Sequence, residues 1–338
     1  MKQFIWSGVV FDTTGYGTAM RTWVLEAYRA GYNIRIEPVD FGAPSATINE
    51  QDRRDLAAMV NNPLGGDEII KIVHLTADHY HVDPRADKTY GWLYWETDYV
   101  SDFMRDQMNL LDGIIVSSKN NFDVLKSKLS TPVKWFPHGW RGGEILPISK
   151  DMKWLSVFQW QKRKAPELLL EAYNEAIHGE IPLTIKTYGW SNYEEISSTV
   201  PRGVCMISEP LPIEELDNLY RSHDVYIEVS RGEGLGLPYR EAMQYGRPCI
   251  ATGWGGQLDV VNQDTGWLVP YDMVDVDTRY FHLYGEGHKW AEPRYADYVK
   301  TLKEVANNYS MVVSKGKASY NMIKEFSWEY LVENLDTL

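Results

Sequence analysis

Short strand-like runs alternate with helical patterns along almost the whole chain, and this alternation limits the folds open to it. In the first half, the strand-like runs cover 3–11, 32–38, 68–75, 91–95, 113–117 and 132–136, with helical stretches before Gly31, at 98–111 and at 119–129. Strands that alternate with helices are typical of parallel sheets, because each helix carries the chain back across one face of the sheet. We therefore predict a parallel α/β fold.

A stretch rich in proline, glycine and charge, from His138 to Asp151, interrupts the alternation. The pattern then resumes with strands at 153–158, 183–188, 204–208, 224–229 and 265–270, helices near 165–177 and 212–221, and three helical stretches at the end. A chain of 338 residues suits two domains, since a domain commonly has about 100–200 residues. We predict two α/β halves that meet near residue 150.

The net charge of −13 disfavours nucleic acid and anionic membrane surfaces as partners. No apolar stretch approaches the roughly 18 residues of a membrane span, and the N-terminus has the pattern of a first strand and not that of a signal peptide. Cys205 and Cys249 each lie inside an apolar run, which predicts buried thiols in a reducing compartment. We expect a cytoplasmic protein.

The most informative segment is 230–241, which reads SRGEGLGLPYRE and directly follows the strand predicted at 224–229. Its three glycines allow the backbone to approach a ligand closely, and Pro238 is tolerated in the first turn of a helix. A strand, a glycine turn and a helix start together form an anion-binding geometry, because free amides and the positive end of the helix dipole suit a phosphate.

Two glutamates belong to this segment: Glu233 lies in the turn, and Glu241 lies about one turn into the helix. A carboxylate placed beside a diphosphate would repel the diphosphate. The two glutamates therefore suit a site in which their carboxylates face neutral hydroxyls, as acidic residues face the ribose hydroxyls in dinucleotide sites. Two such carboxylates suggest a ligand with two sugars around a diphosphate. A structural alternative explains the pair equally well: both glutamates would be helix-start acids that interact with the helix dipole.

Arg163 and Lys164 provide the local positive charge that an acidic protein requires to hold a diphosphate. Arginine forks to phosphate oxygens, and lysine acts as a mobile point charge. The alternative is a solvated basic turn at 162–164, which the residues alone would favour.

Together these segments resemble the retaining GT-B glycosyltransferases, particularly glycosyltransferase family four. Glu233 and Glu241 match the E-x7-E signature of that family. The other resembling segments are the strand-to-helix loop at 158–170 with its Arg and Lys, the glycine loop at 252–256, the short strand at 266–269 and the start of the C-terminal helix at 326–329. The resemblance is strong from 153 to 270 and weaker in the first half.

The resemblance implies a GT-B fold, in which two Rossmann-like domains face each other across a cleft. Residues 1–145 would bind the acceptor, 150–315 would bind the donor, and 316–338 would form C-terminal helices that end on the first domain. The donor would be a nucleotide-diphosphate-sugar, and the acceptor a carbohydrate, a lipid-linked molecule, a protein or a small molecule. Neither a cofactor nor a metal is implied, and the oligomeric state stays open.

The resemblance also implies roles for individual residues. The catalytic set would be Glu233, Arg163, Lys164 and His79. The donor would be bound by Glu241, Gly234, Leu235, Gly236, Leu237, Ser208, Glu209 and, from the first half, Gly15 and Gly17. The acceptor would meet Tyr16 and the aromatic run that contains Trp92, Tyr94 and Trp95. Because a strand alternates its faces, we expect either Trp92 with Tyr94 or Trp95 to lie in the core and the other set to line a groove.

Two metal-binding alternatives are weaker. His74, Asp78, His79, His81 and Asp83 offer suitable ligands, but strand alternation would point His74 and His79 in opposite directions. Asp275 and Asp277 resemble the Asp-x-Asp of the other glycosyltransferase fold, and we interpret them as a loop coincidence.

We therefore expect a retaining, metal-independent transfer of a sugar to an acceptor hydroxyl, with membrane contact if the acceptor is a lipid. Two alternatives stay open: a nucleotide-sugar hydrolase or epimerase on the same scaffold, and a non-catalytic sugar- or nucleotide-binding subunit.

Overall fold

The computed structural model describes residues 2–188, 200–276 and 282–338. Within these ranges the chain forms two six-stranded parallel sheets and one antiparallel hairpin. The sheets belong to two compact units: the first contains residues up to Gly139, the segment that ends at His288 and Phe326–Leu338, and the second contains Trp140–Val276 and Lys289–Glu325. The predicted parallel α/β class is confirmed.

The first unit has the strand order β2-β1-β3-β4-β5-β6, and all of its neighbouring strands are parallel. Its strands are β1 (Lys2–Gly8), β2 (Asn33–Pro38), β3 (Glu68–His74), β4 (Lys88–Leu93), β5 (Gly113–Val116) and β6 (Val133–Trp135). Its longer helices are α1 (Gly15–Arg29), α2 (Glu50–Asn61), α3 (Asp102–Asn109) and α4 (Lys119–Lys126).

The second unit has the order β12-β11-β10-β7-β8-β9. Its strands are β7 (Trp154–Gln159), β8 (Leu183–Tyr188), β9 (Val204–Ile207), β10 (Val225–Glu228), β11 (Cys249–Thr252) and β12 (Gly266–Val269), and β13 (Tyr271–Asp275) pairs with β14 (Lys289–Pro293) as the hairpin. Its helices are α5 (Pro166–Ile177), α6 (Ile213–Ser222), α7 (Leu237–Met243), α8 (Tyr295–Asn307) and α9 (Tyr309–Lys324). The short α10 (Trp328–Leu331) then returns to the first unit.

Local sequence signals fix where the helices begin. Each of the helices α1 to α4 is preceded by a residue whose side chain accepts a hydrogen bond from a backbone amide in the first turn. In chain order these residues are Thr14, Asn49, Ser101 and Ser118. These caps satisfy amides that have no partner inside the helix. α5 begins differently, with a proline at its first turn.

α2, β11, β13 and β14 were not predicted. α2 has only two buried residues, Leu56 and Met59, so its polar sequence carries a weak helical period. β13 lies in a stretch that was expected to be a loop, and it pairs with β14 as an antiparallel hairpin. Asp275 bonds to Lys289 across this hairpin at 3.2 Å, while Asp277 lies outside the described residues.

An aromatic cluster fills the core of the first unit and corrects the predicted acceptor groove. Trp92 and Trp95 have no exposed surface, and Tyr94 is 6% exposed. The Trp92 ring packs against Trp23 and stacks on His74 at 5.0 Å with a 1° interplanar angle. Both faces of a parallel sheet are covered by helices, so neither set of alternating side chains reaches a surface. The prediction that one set lines a groove is therefore wrong.

His74 is a neutral member of this cluster. The Trp6 Nε1 donates to His74 Nδ1 at 3.1 Å, so the ring proton lies on Nε2, which is 3.1 Å from the Tyr94 hydroxyl. Burial lowers the pKa of His74 to about 3. The imidazole is thus a core residue with two satisfied nitrogens and not a metal ligand.

Cys205 corrects a second expectation, because its thiol is exposed while Cys249 is buried. Cys205 lies in β9, at the edge of the second sheet, and pairs only with β8 on one side. The apolar run around it gave no sign of this edge position.

The C-terminal segment completes the core of the first unit. The Trp328 ring lies edge-to-face with Trp23 at 4.8 Å and covers Gly139, where a Cβ atom would come within 2.3 Å of the indole. The Lys2 and Lys88 ammonium groups donate to the carbonyl of Leu338. None of the described helices combines the length and apolarity required to cross a membrane.

Truncating Trp328 to alanine should remove one wall of this core and destabilise the first unit by about 3–5 kcal/mol, as for other buried tryptophans. Tyr330 lies in the same short helix and is 66% exposed, so Tyr330→Ala is the matched control with a cost near zero. Denaturant unfolding followed by circular dichroism would measure both. Equal effects of the two variants would show that the segment does not close the core.

Candidate functional site

Two loops meet at the carboxyl edge of the second sheet. β7 and β10 are parallel neighbours, so the segments that follow them leave the sheet on the same side. The first is the basic turn, residues 162–164, and the second is the glutamate loop, residues 229–236. The Arg231 amide donates to the Arg163 carbonyl at 2.7 Å and joins the two.

The basic turn and the glutamate loop place four charges together. The Lys164 Nζ donates to Glu233 Oε1 at 2.6 Å and to Glu228 Oε1 at 2.7 Å. The Arg163 Nη1 donates to the same Glu233 oxygen at 3.0 Å and also to the carbonyl of Gly232. We name Arg163, Lys164, Glu228 and Glu233 the charge cluster.

The charge states of Lys164 and Glu233 follow from this geometry. Burial alone would lower the pKa of Lys164, but the Glu228 and Glu233 carboxylates outweigh it and raise that pKa. Burial would raise the pKa of Glu233, yet the Lys164 ammonium and the Arg163 guanidinium hold it below its usual value. At neutral pH, Lys164 is therefore protonated and Glu233 ionised.

Glu228 differs from Glu233 and was not predicted as a site residue. Its side chain has no exposed surface, and burial raises its pKa to about 7 against the opposing effect of Lys164. The only signal in the sequence was a glutamate inside the otherwise apolar run of β10. Such a residue is unusual, because an ionised carboxylate is rarely buried without a partner.

The glutamate loop leads into α7 through a left-handed residue. Gly236 has φ +75° at the N-cap, a conformation that favours glycine, and Pro238 follows in the first turn. The Gly256 amide donates to the Glu233 carbonyl at 2.7 Å, and a Cβ at Gly256 would lie 2.3 Å from the Gly234 oxygen. The glycine loop after β11 thus packs directly on the glutamate loop, with Leu235 buried and Leu237 half-buried.

Glu241 lies on α7 and faces different partners. The Tyr220 hydroxyl donates to Glu241 Oε2 at 2.9 Å, and Arg141 Nη1 is 3.9 Å from Oε1. The Glu241 side chain is 17% exposed. Ser208 and Glu209 follow β9, two strands away from β7 on the same edge of the sheet.

Arg231 is a second residue of the site that was not predicted from the sequence. Its buried guanidinium donates to Glu167 and Glu292 at 2.9 Å each and to the carbonyl of Lys162. The Ala291 amide donates back to the Arg231 carbonyl at 2.8 Å. Arg231 therefore fixes the basic turn, the start of α5 and the β13–β14 hairpin to the glutamate loop. No pattern in the sequence connected these segments.

The remaining predicted residues lie in the first unit. Gly15 is open, whereas Gly17 is closely packed and its amide already donates to Thr14 Oγ1 at 3.1 Å. The Tyr16 hydroxyl donates to the carbonyl of Tyr94. His79 has 41% exposure and lies against Phe41, with its ring centroid 4.9 Å from the phenyl ring.

The weak metal alternative at 74–83 is not supported by the geometry. Asp83 bonds to Arg85 and lies 3.5 Å from the buried Lys71, while His74 belongs to the aromatic core. Within residues 2–188, 200–276 and 282–338, no three His, Cys, Asp or Glu side chains are placed to share a metal ion.

The two Rossmann-like α/β units, with the charge cluster at the edge of the second sheet, have the GT-B fold. The model of the family Glycosyl transferases group 1 matches residues 150–280, the part of the chain that contains the charge cluster and Glu241. The chain thus has the GT-B fold, and its residues 150–280 are similar to the group 1 glycosyltransferases, as the sequence resemblance indicated.

Solved structures show the same fold over the full length. HepE from Anabaena, determined with UDP and glucose, superimposes with a TM-score of 0.71 and covers 99% of this chain and all of its own, at 10% identity. Sucrose-phosphate synthase from Thermosynechococcus elongatus gives 0.69 over 100% of this chain and 98% of its own, at 14% identity.

Among curated proteins, the GtfA subunit of the UDP-N-acetylglucosamine–peptide N-acetylglucosaminyltransferase from Streptococcus agalactiae is 22% identical over 288 residues, 80% of this chain and 52% of its own length. A D-inositol 3-phosphate glycosyltransferase from Corynebacterium aurimucosum is 25% identical over 191 residues, 53% of this chain and 40% of its own. The chain spans about half the length of the streptococcal relative.

Replacing Lys164 with methionine should leave two buried carboxylates without their ammonium partner and cost about 3–5 kcal/mol of unfolding free energy at pH 8. Without the ammonium, burial keeps the folded-state pKa of Glu228 above its unfolded one, so the stability lost through Glu228 is recovered as the pH falls to 5. Urea unfolding at both pH values would measure this.

Lys162→Met is the matched control, because Lys162 lies in the same turn with a 45% exposed side chain. Its cost should be small and independent of pH. A pH-independent loss in Lys164→Met would contradict the charge argument.

Proposed function

We propose that the protein transfers a sugar from a nucleotide-diphosphate-sugar to an acceptor hydroxyl, with retention at the anomeric carbon and without a metal ion. The observation that carries this proposal is the charge cluster, in which Arg163 and Lys164 are fixed next to Glu233 at the carboxyl edge of the second sheet. Ligands of open α/β sheets bind at this edge.

The two cations suit the charge that develops during the reaction. When the bond between the sugar and the diphosphate breaks, negative charge grows on the leaving phosphate oxygens. Arg163 and Lys164 stabilise that charge from fixed positions, so little reorganisation accompanies the step. The amides that follow Gly234, in the turn that leads into α7, would add donors for the same diphosphate.

Two carboxylates would hold the neutral parts of the donor. Glu233 is oriented by both cations and would accept hydrogen bonds from hydroxyls of the transferred sugar. Glu241, held by Tyr220, would accept from the hydroxyls of the nucleotide ribose. Leu235, Gly236 and Leu237 would line the donor from the backbone side, with Ser208 and Glu209 at the end of β9.

Retention follows if the leaving phosphate takes the proton of the acceptor hydroxyl on the face from which it departs. The acceptor oxygen then forms its bond to the anomeric carbon on that same face, and no separate protein base is required. We assign the acceptor to the first unit, where His79 and Tyr16 are the candidate contacts, and we keep Gly15 and Gly17 as predicted donor contacts.

The named relatives favour a uridine nucleotide and a sugar or peptide acceptor. One is named for transfer from UDP-N-acetylglucosamine to a peptide, and HepE was determined with UDP and glucose. We propose UDP-sugars as the first donors to test. We keep the prediction of a cytoplasmic location, with membrane contact where the acceptor is a lipid.

A thermal-shift screen against nucleotide-sugars would identify the donor, since a ligand at 100 times its Kd adds about 2.7 kcal/mol of stability. Proton NMR of the products in the presence of EDTA then tests transfer, retention and metal independence together. Donor consumption without a glycosidic product would favour the hydrolase or epimerase alternative. Binding without turnover on a broad acceptor panel would favour the non-catalytic one.

Arg163→Ala should lower kcat by about 10²–10³, because the guanidinium acts on charge that exists mainly in the transition state. The donor KM should change less than kcat. Lys162→Ala is the matched control, since it removes an equal charge one residue earlier, and it should stay within a few-fold of wild type. A loss below about 20-fold in Arg163→Ala would argue against the assigned role.

Glu241→Ala should remove the discrimination between UDP and its deoxyribose analogues. Wild-type protein should bind 2′-deoxy-UDP or 3′-deoxy-UDP about 10–100-fold more weakly than UDP, the value of a hydrogen bond to a charged group. Calorimetric Kd values would measure this, with Glu215→Ala, on the exposed side of α6, as control. Preserved discrimination in Glu241→Ala would place the ribose elsewhere.

A further inference from the structure

Glu228 is the one member of the charge cluster to which the proposed reaction assigns no task. It ends β10, has no exposed surface and directs Oε1 at the Lys164 ammonium, 2.7 Å away. Lys164 therefore lies between two carboxylates, only one of which is expected to touch a sugar. This second carboxylate opposes diphosphate binding, because it neutralises the cation that the diphosphate requires.

The surroundings of Glu228 limit how it can respond. From its own strand, the Tyr226 hydroxyl donates to Oε2 at 2.5 Å, and from α7 the Tyr239 hydroxyl donates to the backbone carbonyl of Glu228. Tyr220 from α6 and Cys249 from β11 complete the nearby titratable groups, and burial raises the pKa of both. Lys164 is thus the only cation in direct contact with Glu228 among the described residues.

The net charge of the charge cluster can take two values. With every group ionised, two cations balance two anions, and the cluster has no net charge to offer a diphosphate. With Glu228 protonated, the cluster carries one net positive charge, and Lys164 is held by Glu233 alone. A neutral carboxyl still accepts a hydrogen bond from Lys164, so the ammonium keeps its position.

Resting on the donor site proposed above, we propose that Glu228 is a positioning residue for Lys164 that takes up a proton when the diphosphate of the donor binds. An approaching diphosphate adds negative charge next to Lys164 and competes with Glu228 for the ammonium. Both effects favour the neutral form of a carboxyl group. Donor binding is then linked to proton uptake, and the charge of the site adapts to its ligand.

The sign of the pH dependence follows from this linkage. The pKa of Glu228 is about 7 in the free protein and rises when the diphosphate is bound. Affinity is therefore greatest below pH 7, where Glu228 is already protonated, and falls as the pH rises above 7.

Titration calorimetry of the full chain with UDP, in buffers of different ionisation enthalpy, measures the number of protons taken up. At pH 7, wild-type protein should take up about half a proton more per UDP than Glu228→Gln, and at pH 8 nearly one more, given a starting pKa of about 7. UDP has its own titrating phosphate, but this contributes equally to both proteins. Between pH 7 and 9 the affinity of wild type should fall by up to about tenfold per pH unit relative to Glu228→Gln.

Glu214→Gln is the matched control, because it makes the same chemical change on an exposed turn of α6, and it should behave as wild type. Tyr226→Phe is the second variant, to be used also if Glu228→Gln does not fold. Loss of the Tyr226 hydroxyl removes a donor that favours the ionised carboxylate, so the pH at which affinity begins to fall should move upward.

Equal proton uptake by wild type and Glu228→Gln, or an unchanged pH profile in Tyr226→Phe, would overturn this inference and leave the proposed function intact. Absence of binding by wild type to UDP and to every other nucleoside diphosphate would instead overturn the proposed function, and this inference with it.

Discussion

The ion pairs of Lys164 with Glu228 and Glu233 are the interaction on which the second unit depends. A buried ammonium is costly unless carboxylates compensate it, and a buried carboxylate is equally costly without a cation. Because the three groups come from the basic turn, from the end of β10 and from the glutamate loop, none of these segments can move alone. The same compensation that holds the loops together fixes the cations where a diphosphate would meet them.

A second set of contacts surrounds this one. Arg231 bonds to Glu167, Glu292 and the Lys162 carbonyl, and so joins the charge cluster to α5 and to the β13–β14 hairpin. Gly256 and Gly234 bring the glycine loop into backbone contact from the other side. The cluster is therefore preorganised by packing on several sides, which is the condition under which fixed charges stabilise a transition state best.

The sequence predicted the parts of this arrangement that depend on position along strands. Consecutive β/α units imply parallel strands, and parallel strands place Arg163, Lys164 and Glu233 on one edge because each follows a strand end. Glu228 and Arg231 escaped prediction, since their partners lie far along the chain and no local period encodes such contacts. Trp92 and Trp95 were misjudged because alternation separates two faces of a strand without showing that helices cover both. The exposure of Cys205 was misjudged because an edge strand has the same local sequence pattern as a central strand, so the pattern does not show that one side is uncovered.

The position of Trp328 has a consequence for how the chain acquires its structure during synthesis. Trp23 and Gly139 lie in the first part of the chain, yet the ring that covers them belongs to a residue made almost 190 positions after Gly139. The sheet of the first unit can form early, but its core keeps an open apolar side until the ribosome has passed Trp328. The second unit, whose strands are contiguous in sequence, can fold while that side is still open. The second unit can thus be complete before the core of the first unit is closed, although most of the first unit is translated earlier.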